Sequence, residues 1–282
     1  MKNAVIVCSN SGIDYINHKY DIPVFRSVIN LGDKSYDDFT EIKAEDFYKL
    51  LDEDKSVFPT TAYVSIGKMV DTFNDLKSKG YDGVVVITIS KQMSGLNGAI
   101  LLAAEEVSDF NVVSYDSRSL AYPQTYMALE ACRMFEEGKS MEEVLSRLDF
   151  IRDNNHLIFS VDTLEFLIKN GRLSKVAGAV ANLMNIRPLL HIDNEGKVVS
   201  LDKTRTSKKA RQLMVELFLK EVEGKDVIVY ISHANAGAYV DEVKEMVFVA
   251  REDIKEITDV FLTPVVGAHC GPRAISLGYI IK

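Results

Sequence analysis

The chain has 282 residues, room for two modest domains or one large one, and its 47% hydrophobic and 26% charged residues are ordinary for a globular protein with a sizeable core. A net charge of −8 argues against a general nucleic-acid or anionic-membrane surface, although it leaves room for a local basic pocket. Three cysteines without paired spacing (Cys8, Cys132, Cys270) make a poor disulfide framework and no zinc site, so a reducing cytoplasm is expected and no metal. The apolar run at 4–8 is too short for a signal peptide, and no run of 18 apolar residues is present to span a membrane.

In chain order, residues 4–7 read as a first buried strand that turns polar at Ser9-Asn10-Ser11-Gly12. Ser65 caps a helix that runs to Lys79 and stops at Gly80. Residues 83–89 are the clearest strand, β-branched on both faces as a central parallel strand is. The loop Ser90-Lys91-Gln92-Met93-Ser94-Gly95, a helix near 97–107 and a strand at 111–115 follow. Ser140 and Glu143 form a capping box for a helix to about Arg152. The rhythm predicts an α/β domain over 1–155, doubly wound on a mostly parallel sheet.

The second half changes character. Strands are expected at 157–161 and 187–192, and Asp193-Asn194-Glu195-Gly196 is a hairpin turn into 197–201. Helix 207–220, strand 227–232, helix 237–251 and strand 254–261 complete an α+β domain over 156–282 with a mixed or antiparallel sheet.

Loops after parallel strands are where α/β proteins bind ligands. Four polar segments are read as such loops: Ser9-Asn10-Ser11, Pro59-Thr60-Thr61, the 90–95 loop, and Gly267-Ala268-His269-Cys270-Gly271-Pro272. They are rich in hydroxyls and glycines and poor in carboxylates, a mix that suits an anion held by neutral donors. Any one of them alone is more often a turn or a cap. His269 is the histidine with the most functional setting, whereas His18, His156, His191 and His233 read as structural or exposed. The nucleophile-elbow, P-loop and dinucleotide-binding patterns are absent. The charges at Asp162, Glu165, Arg172, Lys203, Arg205, Lys208 and Lys209 read as solvated helix ends and ion pairs.

These segments together resemble the DegV family. The stretch from Val161-Asp162-Thr163-Leu164-Glu165 to Asn170-Gly171-Arg172-Leu173-Ser174 is similar to its signature ending in Gly-Gly-Arg. Ile186-Arg187-Pro188-Leu189-Leu190, with Gly196 and Lys203-Thr204-Arg205-Thr206 after it, resembles the next block. Ala268-His269-Cys270-Gly271-Pro272 resembles the C-terminal His-x-Gly-Pro. Pro59-Thr60-Thr61 and Met93-Ser94-Gly95 resemble the Thr-Ser and Leu-Ser-Gly motifs. The order holds from about residue 4 to 281. The sequence departs where the family's Asp-Ser is Asn10-Ser11, where one glycine of Gly-Gly-Arg is Asn170, and where Tyr122-Pro123-Gln124 lacks the usual glycines.

The resemblance implies a non-catalytic, lipid-binding protein with one long-chain fatty acid between two domains and no further cofactor. It implies a partner, the catalytic subunit of a fatty acid kinase, to which the acyl carboxyl is presented for acyl-phosphate formation. Thr61, Ser94 and His269 match the positions that hold the carboxyl group. Thr60, Gly95, Asn10 and Ser11 are further ligand-binding candidates beside them, and Arg172 matches the arginine near the pocket mouth or the partner surface. No nucleic acid is expected, and transient membrane contact fits a lipid carrier. A serine hydrolase using Ser94 and His269, or a binder of another amphiphile, is the alternative. For the apolar channel the candidates are Ile100, Leu101, Leu102 and Ala103, with Phe159, Leu164, Leu167 and Ile186.

Overall fold

The computed structural model describes residues 2–173 and 186–282; Ser174, the last residue of the signature segment, lies outside them. The first half contains β1 (Asn3–Cys8), β2 (Val24–Phe25), β3 (Val28–Leu31), β4 (Lys34–Asp37), α1 (Ala44–Glu53), β5 (Thr60–Ala62), α2 (Ile66–Ser78), β6 (Gly83–Thr88), α3 (Leu96–Glu105), β7 (Asn111–Asp116), α4 (Tyr122–Glu136) and α5 (Met141–Asp153). The second contains β8 (Asn155–Ser160), α6 (Glu165–Lys169), β9 (Arg187–Ile192), β10 (Val198–Thr204), α7 (Ser207–Glu221), β11 (Val227–His233), α8 (Gly237–Ala250), β12 (Ile257–Phe261), α9 (Pro264–Cys270) and β13 (Ile275–Ile281).

The run Gly83-Val84-Val85-Val86-Ile87-Thr88 is buried at every position, so it needs cover on both faces. It lies inside a parallel sheet of order β2-β1-β6-β7. Val84 and Val86 face Met69 and Phe73 of α2 and Ile100 of α3. Val85 and Ile87, one residue out of phase, face Met127 and Ala131 of α4 and Leu148 of α5. Each such side chain stabilises the fold by about 1.5–3 kcal/mol relative to exposure. The sheet is therefore doubly wound, as its β-branched pattern predicts. Helix starts are fixed locally: Ser65 Oγ accepts from Lys68 N at 3.3 Å, and Ser140 and Glu143 make both bonds of the capping box, at 3.2 and 2.9 Å.

The second half is built on a six-stranded sheet of order β10-β9-β8-β13-β11-β12, antiparallel except for the β11–β12 pair. The predicted turn at 193–196 is present; the Asp193 carboxylate accepts from the Glu195 and Lys197 amides, each at 2.9 Å. β10 runs on to Thr204 past a bulge, and β12 begins at Ile257 rather than 254. Helices α7 and α8 cover one face through Met214, Phe218, Val243 and Val247. The other face, with Leu157, Leu190, Tyr230 and Ile280, belongs to the same buried cluster as Val5, Val85 and Met127 of the parallel sheet. Tyr122 and Tyr230 meet across this seam with ring centres 5.1 Å apart. The two halves thus share one core, and the cavity lies within it.

Three of the four segments read as loops are regular structure, Ser9–Ser11 being a turn of 3-10 helix. Thr60 and Thr61 belong to β5, an edge strand of a small antiparallel sheet of order β4-β3-β5, with Thr61 opposite Ile29. Gly267 to Cys270 form the last turn of α9. The expected channel stretch at 100–103 is also corrected. Ile100 and Ala103 are buried between α3 and the parallel sheet, on the face away from the cavity, while Leu101 and Leu102 are 51% and 54% exposed. An amphipathic helix presents alternate positions to core and solvent, so a continuous apolar run on it does not line one space.

The seam is stitched mainly by neutral groups. Ser90 Oγ donates to the Gly196 carbonyl at 2.7 Å, and Tyr48 Oη to the Leu262 carbonyl at 2.7 Å. Asp52–Arg273 is the one ion pair among the described residues that joins the first 155 residues to the rest.

Candidate functional site

Helix α9 delivers His269. Its start is set by Pro264 at the first turn, where the missing N–H costs nothing. Gly267 sits against α1, where an added Cβ would lie 2.5 Å from Tyr48 Oη and 2.8 Å from Phe47. Only glycine allows so close an approach, which fixes where the end of α9 points.

From there His269 Nε2 and Thr61 Oγ1 share a hydrogen bond of 2.9 Å, joining α9 to β5. The other ring nitrogen, Nδ1, is buried with no partner among the described residues. Burial, with the nearby Arg172 guanidinium as a smaller cause, pushes the imidazole down to about 4. It is therefore neutral at physiological pH, and its readiness to hold an anion rests on hydrogen bonding rather than on a standing charge.

Arg172 reaches back over this end. Its Nε donates to the Met93 carbonyl at 3.1 Å and its Nη1 to the Asn170 carbonyl at 2.6 Å. Asn170, which stands where the family signature has glycine, donates to the Ala268 carbonyl at 2.9 Å. It thereby ties the signature segment to α9. Ser94 Oγ accepts from the Leu96 amide at 3.3 Å at the start of α3.

These groups rim one cavity of about 400 Å³. Of the residues expected at the site, Thr61, Ser94, Gly95, His269, Arg172 and Asn10 line it. Thr60 and Ser11 do not: Thr60 is exposed on the edge strand, and Ser11 is fully buried with its Oγ taken by the Ile13 amide. The expected channel residues Phe159 and Leu167 line it, whereas Leu164 and Ile186 do not. Lys203 and Arg205 are remote from the lining, at and just beyond the end of β10.

Away from the polar rim the wall is mostly apolar, interrupted by Ser27 and Ser276. Ile89, Leu120 and Ala121 contribute from the first half, and Leu157, Leu262 and Val266 from the second. Sequence reasoning missed most of these. Val265-Val266 ahead of the histidine motif was a usable signal; isolated residues such as Leu157 and Leu262 carry none. Ala121 adopts φ 57°, ψ −136°, a conformation that favours glycine, in the loop that lacks the family's glycines. Its amide donates to the Asn10 carbonyl at 3.2 Å, which holds it there.

The chemistry available is limited. Cys270 lines the cavity, but burial pushes its thiol up to about 12, so it is no nucleophile. His269 Nε2 engages Thr61, and no carboxylate orients Nδ1 among the described residues. Among those residues there is also no cluster of three or more His, Cys, Asp or Glu side chains suited to a metal, and no helix long and apolar enough to cross a membrane.

Fold and site define a two-domain α/β protein, with a parallel sheet, a mixed sheet and a small antiparallel one, and a largely apolar cavity that holds a cluster of polar groups. The chain belongs to the DegV family: residues 2–282 match the family described as "Uncharacterised protein, DegV family". A DegV domain-containing protein of Clostridium acetobutylicum is 30% identical over 277 residues, 98% of each chain. Among solved structures, a fatty acid binding DegV family protein of Streptococcus agalactiae superposes with a TM-score of 0.90 at 25% identity, covering 100% of this chain and 99% of that one. DegV of Bacillus subtilis, a fatty acid binding protein, gives 0.88 at 26% identity with both chains fully covered.

Proposed function

We propose that this chain binds one long-chain fatty acid in the cavity, without catalysing a reaction itself. The observation that carries the proposal is a largely apolar cavity with Thr61, Ser94 and His269 grouped on its wall, two of them joined by a hydrogen bond. That distribution matches an amphiphile with a long tail and one small anionic head. The domains of the proposal are 1–155 and 156–282, with the ligand between them.

The energetics support the reading. A C16 chain has about 14 methylenes, each worth about 0.8 kcal/mol when buried, or about 11 kcal/mol in all. That is ample after the cost of association. At the head, the Ser94 hydroxyl offers a neutral hydrogen bond to a carboxylate, and the Thr61–His269 pair offers one more: from Nδ1–H when the Thr61 hydroxyl donates to Nε2, or from the Thr61 hydroxyl when Nε2–H donates to Oγ1. Arg172 already spends its Nε–H and one Nη1–H on backbone carbonyls, so the side-on two-pronged clamp through Nε is closed to a carboxylate. A carboxylate held this way keeps an oxygen free to attack a phosphoryl donor, which fits presentation to a separate kinase.

Extraction of the purified protein followed by lipid mass spectrometry tests the proposal. One fatty acid per chain is the expected result. No lipid, with ester hydrolysis that disappears in Ser94→Ala, would replace the carrier with a hydrolase.

A further inference from the structure

The cavity has a second polar station. Asn10 lines the wall and is 4% exposed. Its Nδ2 donates to Gln124 Oε1 at 2.6 Å, and its side-chain Oδ1 accepts from no group among the described residues. Behind it, Gln124 Nε2 is buried without a partner. Ser27, 7% exposed, lines the same wall; its amide donates to Ser9 Oγ at 3.2 Å, which sets it beside Asn10, and its own hydroxyl has no partner among the described residues.

This station is distinct from the head. In the small sheet Thr61 pairs with Ile29 and Ala62 with Val28. Ser27 immediately precedes β3 and lies two residues from Ile29, at most about 7 Å along the chain. The polar group it meets is therefore several carbons down a chain whose carboxyl sits at Thr61. A plain methylene there leaves a buried amide oxygen and a hydroxyl unsatisfied, a cost that evolution rarely leaves in place without use.

We propose that the cavity selects long-chain fatty acids that carry a hydroxyl group several carbons from the carboxyl, recognised by Asn10 and Ser27. A hydroxyl donates and accepts, so it suits the Asn10 side chain in either amide orientation and the Ser27 hydroxyl at the same time. The inference rests on the fatty-acid reading of the cavity and narrows its ligand class.

The test measures affinities of delipidated protein for stearate and for a series of hydroxystearates differing in hydroxyl position, by displacement of a fluorescent fatty acid. Each protein is scored by its hydroxystearate-to-stearate affinity ratio, which cancels general losses. In the wild type one isomer should bind about tenfold more tightly than stearate. Asn10→Leu and Ser27→Ala should each erase most of that preference. Ser27→Ala removes one hydroxyl only and serves if Asn10→Leu fails to fold. Stearate that binds as well as every isomer overturns this inference and leaves the fatty-acid reading intact. A preference that survives in the folded variants overturns the assignment to Asn10 and Ser27. Absence of binding by stearate and by all isomers sinks both.

Discussion

Replacing His269 with Gln probes the electrostatics of the cavity's polar end. Burial holds the imidazole at about 4 in the folded protein, against 6.5 when unperturbed. As pH falls the unfolded chain takes the proton first. The folded state therefore has its full stability above about 6.5 and loses it progressively down to about 4. Linkage gives a loss of about 1.4 kcal/mol at pH 5.5 and about 2.6 kcal/mol at pH 4.5. Other buried groups titrate nearby. His191 and His233, both lowered chiefly by burial, act with the same sign. Asp38, pushed up to about 7 by burial, acts with the opposite sign, since its contribution is lost as pH rises through 7. The informative quantity is the difference between wild type and His269→Gln, taken from urea unfolding of delipidated protein at pH 7.5, 5.5 and 4.5. That difference should shift by about 2–3 kcal/mol in favour of the variant between the first and last pH. A difference that does not move with pH refutes a neutral, buried imidazole.

Ser94→Ala is expected to weaken binding of a long-chain fatty acid by roughly 10–100-fold without unfolding the protein, read by titration calorimetry; unchanged affinity in both Ser94→Ala and His269→Ala removes these residues from the head-group site. Delipidation should lower the melting temperature, and palmitate or oleate at a hundredfold excess over Kd should return about 2.7 kcal/mol, whereas butyrate should not. Equal rescue by butyrate contradicts a long apolar cavity. Asn170→Gly restores the family's glycine but deletes the bond to the Ala268 carbonyl, and should cost about 1 kcal/mol in denaturant unfolding; an unchanged midpoint shows that the bond contributes nothing.

Legibility followed length and periodicity. β6 declared itself because a strand covered on both faces is apolar throughout, and α5 because its cap is a chemical pattern in four residues. The small sheet was illegible: β5 is three residues long and holds together only through Val28, Ile29 and Asn30 of another segment. α9 was missed because six of its seven residues are buried, leaving no polar stripe to reveal a helical period. α4 carries Pro123 in its first turn and repeats apolar residues over 15 positions, a helical signal that the sequence does contain. At the site, polar groups came from motifs, while apolar lining came from single residues on many elements. Which face of α3 would look at the cavity was settled by packing alone.

The neutral stitching of the seam has a consequence for handling the protein. Hydrogen bonds such as Ser90 to Gly196 and Tyr48 to Leu262 carry no net charge, and the Asp52–Arg273 pair is about two-fifths exposed on each side. Added sodium chloride therefore has little to screen when the halves part. Urea, which solvates peptide and apolar groups alike, attacks the same seam directly. Ionic strength is a poor lever for stripping a tightly held guest from this chain, and mild chaotrope is the appropriate one.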